Sequence, residues 1–143
     1  MSSVETVELL GEEIRAAFPL MQELRTSLTE ARYVEAVAEM AADGYRLFAL
    51  KRDGVAVALA GVGIATNLYY GRYLWVYDLV TTEAERSRGY GRRLLQHLEE
   101  LARQEGCDTI ALSSGVQRSD AHRFYEERMG YERASFVFRK ELR

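Results

Sequence analysis

Arginines, glycines and the start of a helix coincide in the run Arg86-Ser87-Arg88-Gly89-Tyr90-Gly91-Arg92-Arg93. A helix N-terminus presents unpaired N–H groups and about half a unit of positive charge, so Asp or Glu is the usual first-turn residue. Arginines stand there instead. The two glycines let the backbone approach a ligand and turn its N–H groups inward. The chemistry this combination suits is anion binding, with a phosphate as the natural counter-charge.

Spacing removes two common phosphate ligands. A dinucleotide fingerprint beginning at Gly89 needs glycine at its sixth position, where Leu94 stands, and no Gly-Lys-Ser/Thr occurs for a nucleoside-triphosphate loop. Among other reactive types, Asp78 alternates with Leu74, Val76 and Val80, so it points from an otherwise apolar strand face. It reads equally as a general base or as the holder of a neighbouring N–H or arginine. Tyr125, beside Phe124 at helical spacing, reads on its own as a core aromatic. His97 and His122 have no partner at ligand spacing, and the lone Cys107 offers neither an internal disulfide nor a cluster, so no metal is expected. His122 suits a surface position, and Cys107 suits packing at a strand end. The loop Asn67-Leu68-Tyr69-Tyr70-Gly71 suits either an acceptor pocket or edge packing.

The elements that must position these residues alternate along the chain without linker, repeat or low-complexity segment. Val4 to Leu10 reads as a strand, and Glu12 to about Leu28 as a helical region that Pro19 kinks or splits. Ser27-x-x-Glu30 has the form of a capping box for the next helix, whose face carries Val34, Val37, Ala38 and Ala41 until Gly44. Tyr45 to Lys51 and Val55 to Ala65 read as strands around an Arg52-Asp53-Gly54 hairpin turn. Arg72 to Thr81 is a strand rich in aromatic and β-branched residues that leads into the arginine-glycine turn. Leu94, Leu95, Leu98, Leu101 and Ala102 give the following helix a buried stripe, which Gly106 ends. Asp108 to Ser114 is a further strand, parallel to Arg72–Thr81 as expected of a β-α-β unit. Ser119 to about Met129 is a helix, and Tyr131 to Leu142 a last strand.

With 143 residues the chain is expected to form one domain, burying roughly two thirds of its unfolded surface. An apolar share of 48% with one proline argues against disorder. No stretch reads as a bilayer span or a signal peptide, and the expectation is a cytoplasmic protein without a membrane partner. The net charge of −3 argues against nucleic-acid binding and favours a cationic small substrate.

Arg86-x-x-Gly89-x-Gly91 between a strand and a helix resembles the acetyl-CoA loop of the GNAT superfamily of N-acetyltransferases. Two more segments share the likeness: Tyr77-Asp78-Leu79-Val80-Thr81 as the cofactor strand, and Ala121-x-x-Phe124-Tyr125-x-x-x-x-Gly130-Tyr131 as the helix and strand that follow. The resemblance implies a single α/β (α+β) domain over residues 1–143. Its sheet would be mixed, mostly antiparallel and of six to seven strands, with helices on both faces and a splay between the fourth and fifth strands. It assigns the pantetheine arm of acetyl-CoA to backbone groups of Leu79, Val80 and Thr81. The pyrophosphate falls to Arg86, Ser87, Arg88, Gly89, Tyr90, Gly91 and Arg92. Ser87 stands where many members have glycine, and Arg118 where many have asparagine. The last strand lacks a hairpin turn, so a seventh strand is either missing or supplied by a second subunit in a homodimer.

The activity implied is direct attack of a primary amine on the thioester of acetyl-CoA. An ammonium must first lose a proton, for which Asp78 is the candidate base, while Tyr77 stands where some members have a glutamate. The Val80 N–H is the candidate oxyanion donor. Tyr125 matches the tyrosine that gives a proton or hydrogen bond to the departing thiolate. A tyrosine titrates near ~10 and a thiol near ~8.5, so full transfer is uphill by roughly 2 kcal/mol unless the tyrosine is perturbed. Small-molecule and protein amines both remain open as acceptors. The alternatives are an inactive acyl-CoA-binding sensor or regulatory module, and an interaction domain whose arginines meet an acidic protein.

Overall fold

Four apolar or β-branched segments pair in consecutive antiparallel order in the computed structural model, which describes residues 3–143: β1 (Val4–Glu8), β2 (Arg46–Arg52), β3 (Val55–Asn67) and β4 (Gly71–Thr81). β5 (Thr109–Leu112) follows β4, giving the order β1-β2-β3-β4-β5. Asp53 and Gly54 take φ of 51° and 84°. Two left-handed residues match a two-residue loop to the twist of its strands, so the expected hairpin forms. The Asp108 N–H donates to Arg72 O at 2.6 Å, and Asp108 Oδ2 accepts from the Arg72 N–H at 3.1 Å. β5 therefore begins beside the beginning of β4, and the sheet is mixed.

Helices cover both faces. Leu47, Ala49, Leu59 and Val80 are buried with Leu20 and Met21 of α2 (Phe18–Leu24) and Tyr33 and Val37 of α3 (Glu30–Ala41), and Ile14 of α1 (Glu12–Ala16) packs against them partly buried. Phe48, one residue from Leu47 and so on the other face, packs its ring 5.8 Å from His97 of α4 (Tyr90–Gln104). Leu94, Leu95 and Leu98 of α4 are fully buried, as the helical stripe predicted.

Two expectations about helices are refined. Ala17 separates α1 from α2, and Pro19 sits in the first turn of α2, where its missing N–H costs nothing. The cap of α3 is Thr29 rather than Ser27: its Oγ1 accepts from the Arg32 N–H at 3.2 Å. Both residue types cap helices, and two positions separate them.

The chain divides into two units, one reaching to Ala111 and the other Leu112–Arg143. In the second, α5 (Ser119–Arg123) runs into a π-helical turn at Phe124–Arg128. The expected strand Tyr131 to Leu142 does not form: no helix or strand occurs in residues 130–143. Phe136, Val137, Phe138 and Leu142 are 69–93% exposed. An alternating pattern makes a strand only where a neighbour satisfies its N–H and C=O groups. The sheet of the described residues thus has five strands rather than six to seven.

Candidate functional site

The arginine-glycine run forms the turn and helix start that its composition demanded. Gly89 is the N-cap of α4 at φ 82°, and Ser87 two residues earlier has φ 70°. Left-handed residues this close together curve the backbone into the kind of concavity that gathers N–H groups around an anion. A β-carbon at Gly89 would meet nothing within 4 Å, so its Cα faces open space. No side chain caps α4, and its first turn carries no acid. Those N–H groups and the positive helix end therefore suit a phosphate, with Arg92 and Arg93 exposed beside them. Ser87 in a conformation that favours glycine explains why glycine is common there in the family it resembles.

The other two arginines hold the loop to the body of the unit. Arg86 Nε donates to Thr81 O at 3.2 Å, joining the end of β4 to the loop. Arg88 Nε lies 3.2 Å from Glu85 Oε2, while Arg52 Nη2 donates to Glu85 Oε1 at 2.8 Å. On the other side, the Glu23 carboxylate accepts from Thr82 Oγ1 at 2.8 Å and from the Glu83 N–H at 2.9 Å. Glu85 and Glu23 were missed by sequence reasoning. The i,i+3 spacing of Glu85 and Arg88 was a usable signal, whereas Glu23 is about sixty residues from its partners.

Within β4, Leu79, Val80 and Thr81 pair with Ala60, Leu59 and Ala58 of β3. In an antiparallel ladder alternate residues turn their N–H and C=O groups away from the partner strand. The Thr82 N–H bonds Val57 O at 2.9 Å, so the Val80 N–H two residues earlier also faces β3, against the expectation that it is the free donor, and Leu79 and Thr81 turn theirs away. The pairing shifts by one residue between Gly61/Asp78 and Val62/Val76, so Tyr77 is the extra residue of a β-bulge. Bulges re-aim side chains, and are frequent beside active sites.

Asp78 emerges from that bulge with every carboxylate oxygen engaged. Oδ1 accepts from Arg25 Nε at 3.0 Å and Nη2 at 2.8 Å, and Oδ2 accepts from the Tyr45 hydroxyl at 2.7 Å. Arg25 also donates to Tyr77 O at 2.8 Å. The Asp78 side chain is 12% exposed. Burial and the Asp78 charge push the Tyr45 hydroxyl far above its ordinary range and that of Tyr33 up to about 12. Space for Tyr45 comes from Gly61, where a β-carbon would collide with the Tyr45 hydroxyl. Arg25 and Tyr45 escaped notice because they lie 53 and 33 residues from Asp78.

Half-exposed rings extend from this point along β4. Tyr73 and Trp75 meet edge to face at 6.4 Å, Tyr70 lies 6.5 Å from Trp75, and Tyr77 lies 6.0 Å from Tyr45. Cys107 has its thiol pushed up by burial, which fits packing rather than reactivity.

In the second unit Tyr125 lies within the π-helical turn, where the Met129 N–H reaches Phe124 O at 3.1 Å. Single π turns inside helices are frequent at functional sites. Its ring packs 5.3 Å from Phe124 and 6.2 Å from Tyr131. Burial pushes the Tyr125 hydroxyl up, and the nearby Arg118 charge opposes this in part. His122 Nε2 sits 2.9 Å from Gly115 O, tying the helix to the preceding loop. Among the described residues no group of three or more His, Cys, Asp or Glu is placed to hold a metal, and no helix is long and apolar enough to cross a membrane.

Comparison with known proteins adds to this geometry. The family model described as the acetyltransferase (GNAT) family matches residues 11–131. An uncharacterized N-acetyltransferase of Bacillus subtilis (strain 168), YhdJ, is 42% identical over 132 residues, spanning 92% of this chain and 93% of its own. The aminoalkylphosphonate N-acetyltransferase of Salmonella typhimurium (strain LT2) is 35% identical over 92 residues, 64% of this chain and 59% of its own. Among solved structures, the aminoglycoside N-acetyltransferase AAC(6')-Iy in complex with CoA superposes with a TM-score of 0.88 at 17% identity, over 100% of this chain and 97% of that one.

Proposed function

We propose a direct-attack route for this chain, which belongs to the GNAT acetyltransferase family and is an acetyl-CoA-dependent N-acetyltransferase: a primary amine attacks the bound thioester within one ternary complex. The observation that carries the reading is the uncapped, acid-free start of α4 behind a left-handed Gly89. Acetyl-CoA supplies the activated acetyl group. The N–H groups from Ser87 to Gly91 and the Arg92 guanidinium receive its pyrophosphate, with Arg86 and Arg88 ordering the loop through Thr81 and Glu85. Backbone groups of Leu79 and Thr81 that face away from β3 take the pantetheine arm, and one of their N–H groups, rather than the Val80 N–H turned toward Leu59, is the oxyanion donor.

Asp78 has two readings, general base and positioning residue, and its three bonds favour the second. Both carboxylate oxygens already accept hydrogen bonds, one from a guanidinium and one from a phenol, so neither is left facing an incoming ammonium. The acceptor proton then leaves to water, and Asp78 fixes Arg25 and Tyr45 around the bulge. Tyr125 gives the departing thiolate a hydrogen bond rather than a complete proton, because its raised pKa makes full transfer still more uphill than for a free tyrosine.

For the acceptor, the half-exposed rings of Tyr73, Trp75 and Tyr77 suit a small cationic amine through their π faces. Small amines are also what the names of the aminoalkylphosphonate and aminoglycoside enzymes indicate for those proteins. A protein amine would need no different chemistry at the thioester.

Initial rates of CoA thiol release, measured over a panel of polyamines, aminoglycosides, aminoalkylphosphonates and lysine peptides, test the route. With the preferred amine, varying both substrates gives intersecting double-reciprocal lines for a ternary complex. Parallel lines, the sign of an acetyl-enzyme, contradict it. The engaged Asp78 also favours one second reading, a CoA-binding module without turnover. That reading gains if acetyl-CoA binds and no amine releases thiol.

A further inference from the structure

Arg25, the residue that ends α2, spends only part of its guanidinium within the protein. Nε donates to Asp78 Oδ1 at 3.0 Å, and Nη2 donates to the same oxygen and to Tyr77 O, both at 2.8 Å. The N–H groups of Nη1 have no acceptor among the described residues. The side chain is 49% exposed, and its bonds at the β4 bulge hold the open Nη1 edge in one orientation before any ligand arrives.

The chain after Arg25 builds a polar hollow around it. The Leu28 N–H donates to Arg25 O at 3.0 Å and Gln22 Nε2 donates to Leu28 O at 3.3 Å, which closes the turn Arg25-Thr26-Ser27-Leu28. These residues line an open hollow of about 420 Å³. Thr29 takes the capping place that Ser27 was expected to fill, and among the described residues neither the Ser27 nor the Thr26 hydroxyl has a hydrogen-bond partner. The neighbouring acids are engaged elsewhere: Glu23 accepts from Thr82 Oγ1 and the Glu83 N–H, and Glu30 accepts from Arg15. What the hollow leaves open is a cationic N–H edge and two hydroxyls, the set that binds anionic oxygen.

We propose that this hollow receives an anionic oxygen group, a carboxylate or a phosphonate, carried by the acceptor, so that the amine acetylated by this chain is a small zwitterion. The inference rests on the acetyltransferase reading for the place of the amine. Arg25 meets β4 at Tyr77 O, and Leu79, whose backbone turns away from β3, is two residues further on, about 7 Å along the strand. A short aminoalkyl chain spans that gap, with its anion on Arg25 Nη1, Thr26 and Ser27 and its nitrogen at the thioester. Arg25 has no acceptor to offer an ammonium, and its charge repels one, so the acceptor's cationic end is directed away from the hollow. Because Asp78 already orders Arg25, less side-chain freedom is lost when the anion binds.

Initial rates of CoA thiol release and amide chemical-shift titrations, both with matched pairs of amines, test it. The pairs are β-alanine with β-alaninamide, and aminoethylphosphonate with its diethyl ester, and the two arms show which anion the hollow fits. In at least one pair the anionic member should have a kcat/KM about tenfold or more above its neutral partner, the size of a charge-assisted hydrogen bond. Arg25→Gln should abolish that preference. Because Arg25 also braces Asp78, the second variant is Thr26→Val/Ser27→Ala, which leaves the bonds of Arg25 to Asp78 in place and should reduce the preference about threefold or more. Near-UV circular dichroism reports that each variant is folded. The titrations, run with and without CoA, read the hollow without turnover: the anionic members should shift the Thr26 and Ser27 amides in the wild type and not in Arg25→Gln, and the neutral partners should leave them unmoved. Equal use of both members of each pair by the wild type overturns the proposal, and so does a preference kept by both variants. Discriminating amide shifts with no thiol release from any amine count only against the acetyltransferase reading, whereas turnover without discrimination counts only against this inference.

Discussion

The Tyr45 hydroxyl donates to Asp78 Oδ2 at 2.7 Å, directly over the β3 position where Gly61 leaves room for it. This bond, with the Arg25 guanidinium on the other carboxylate oxygen, ties β4, the end of α2 and the residue preceding β2 together beside the β4 bulge. A carboxylate set up as a base would keep one oxygen facing the incoming proton. Asp78→Asn should therefore lower kcat by about tenfold or less, against the 10²–10⁴ typical of a lost general base. Stability should fall by about 1–3 kcal/mol through the damaged charged hydrogen bonds. The pH dependence of kcat/KM separates the roles: the acidic limb stays in place if Asp78 only positions, and disappears if it is the base.

Gly61→Ala should cost about 1–3 kcal/mol, because the new methyl group meets the Tyr45 hydroxyl and ring. Tyr45→Phe relieves part of that clash while losing the bond to Asp78. In a denaturation-based double-mutant cycle the combined variant should lose less than the sum of the singles. Strict additivity would mean that the two positions do not compete for the same space.

Alkaline pH should unfold the chain through its buried phenols. Tyr33 and Tyr45 have pKa values raised in the folded state, mainly by burial, and Tyr33 reaches about 12. A raised folded pKa gives stability that is complete below the unfolded value near ~10 and is lost as pH rises from there through the folded value. Urea denaturation should show a plateau up to about pH 10 and a decline between there and pH 12. Spectrophotometric titration in which every tyrosine ionises near ~10 would contradict it.

Tyr125→Phe should lower kcat by about 10²-fold or more with the KM for acetyl-CoA little changed, as for a group whose bond strengthens in the transition state. The raised pKa of Tyr125 keeps its proton in place across the neutral range, so the wild-type kcat profile should show no tyrosine limb below about pH 10. Unchanged kcat in the phenylalanine variant would return Tyr125 to the core-aromatic reading.

What was legible in the sequence was local. The left-handed turn at Ser87 and Gly89, the stripe of α4 and the Asp53-Gly54 hairpin each depend on residues within one or two turns of chain, and each formed where the sequence placed it. The partners of Asp78 were not legible, because Arg25 and Tyr45 reach it only after the helix and strands have packed. The strand expected at Tyr131 to Leu142 shows the limit of periodicity. Phe136 and Phe138 alternate correctly, but pairing depends on a neighbour that no local pattern specifies. The likeness of three segments to a known family supplied the candidate site residues that spacing alone left ambiguous, Tyr125 above all.

The central claim, that the start of α4 holds the pyrophosphate of acetyl-CoA, is tested most directly by thermal unfolding with and without acetyl-CoA, in wild type and Gly89→Glu. A ligand at about 100 times its dissociation constant adds about 2.7 kcal/mol, a shift of several degrees for a chain of this size. The substitution puts a β-carbon at φ 82° and a negative charge where the phosphate would lie. The account predicts a clear shift for the wild type that ADP alone does not fully reproduce, and none for Gly89→Glu with a native near-UV spectrum. A folded wild type indifferent to acetyl-CoA, or an equal shift in the variant, would contradict it.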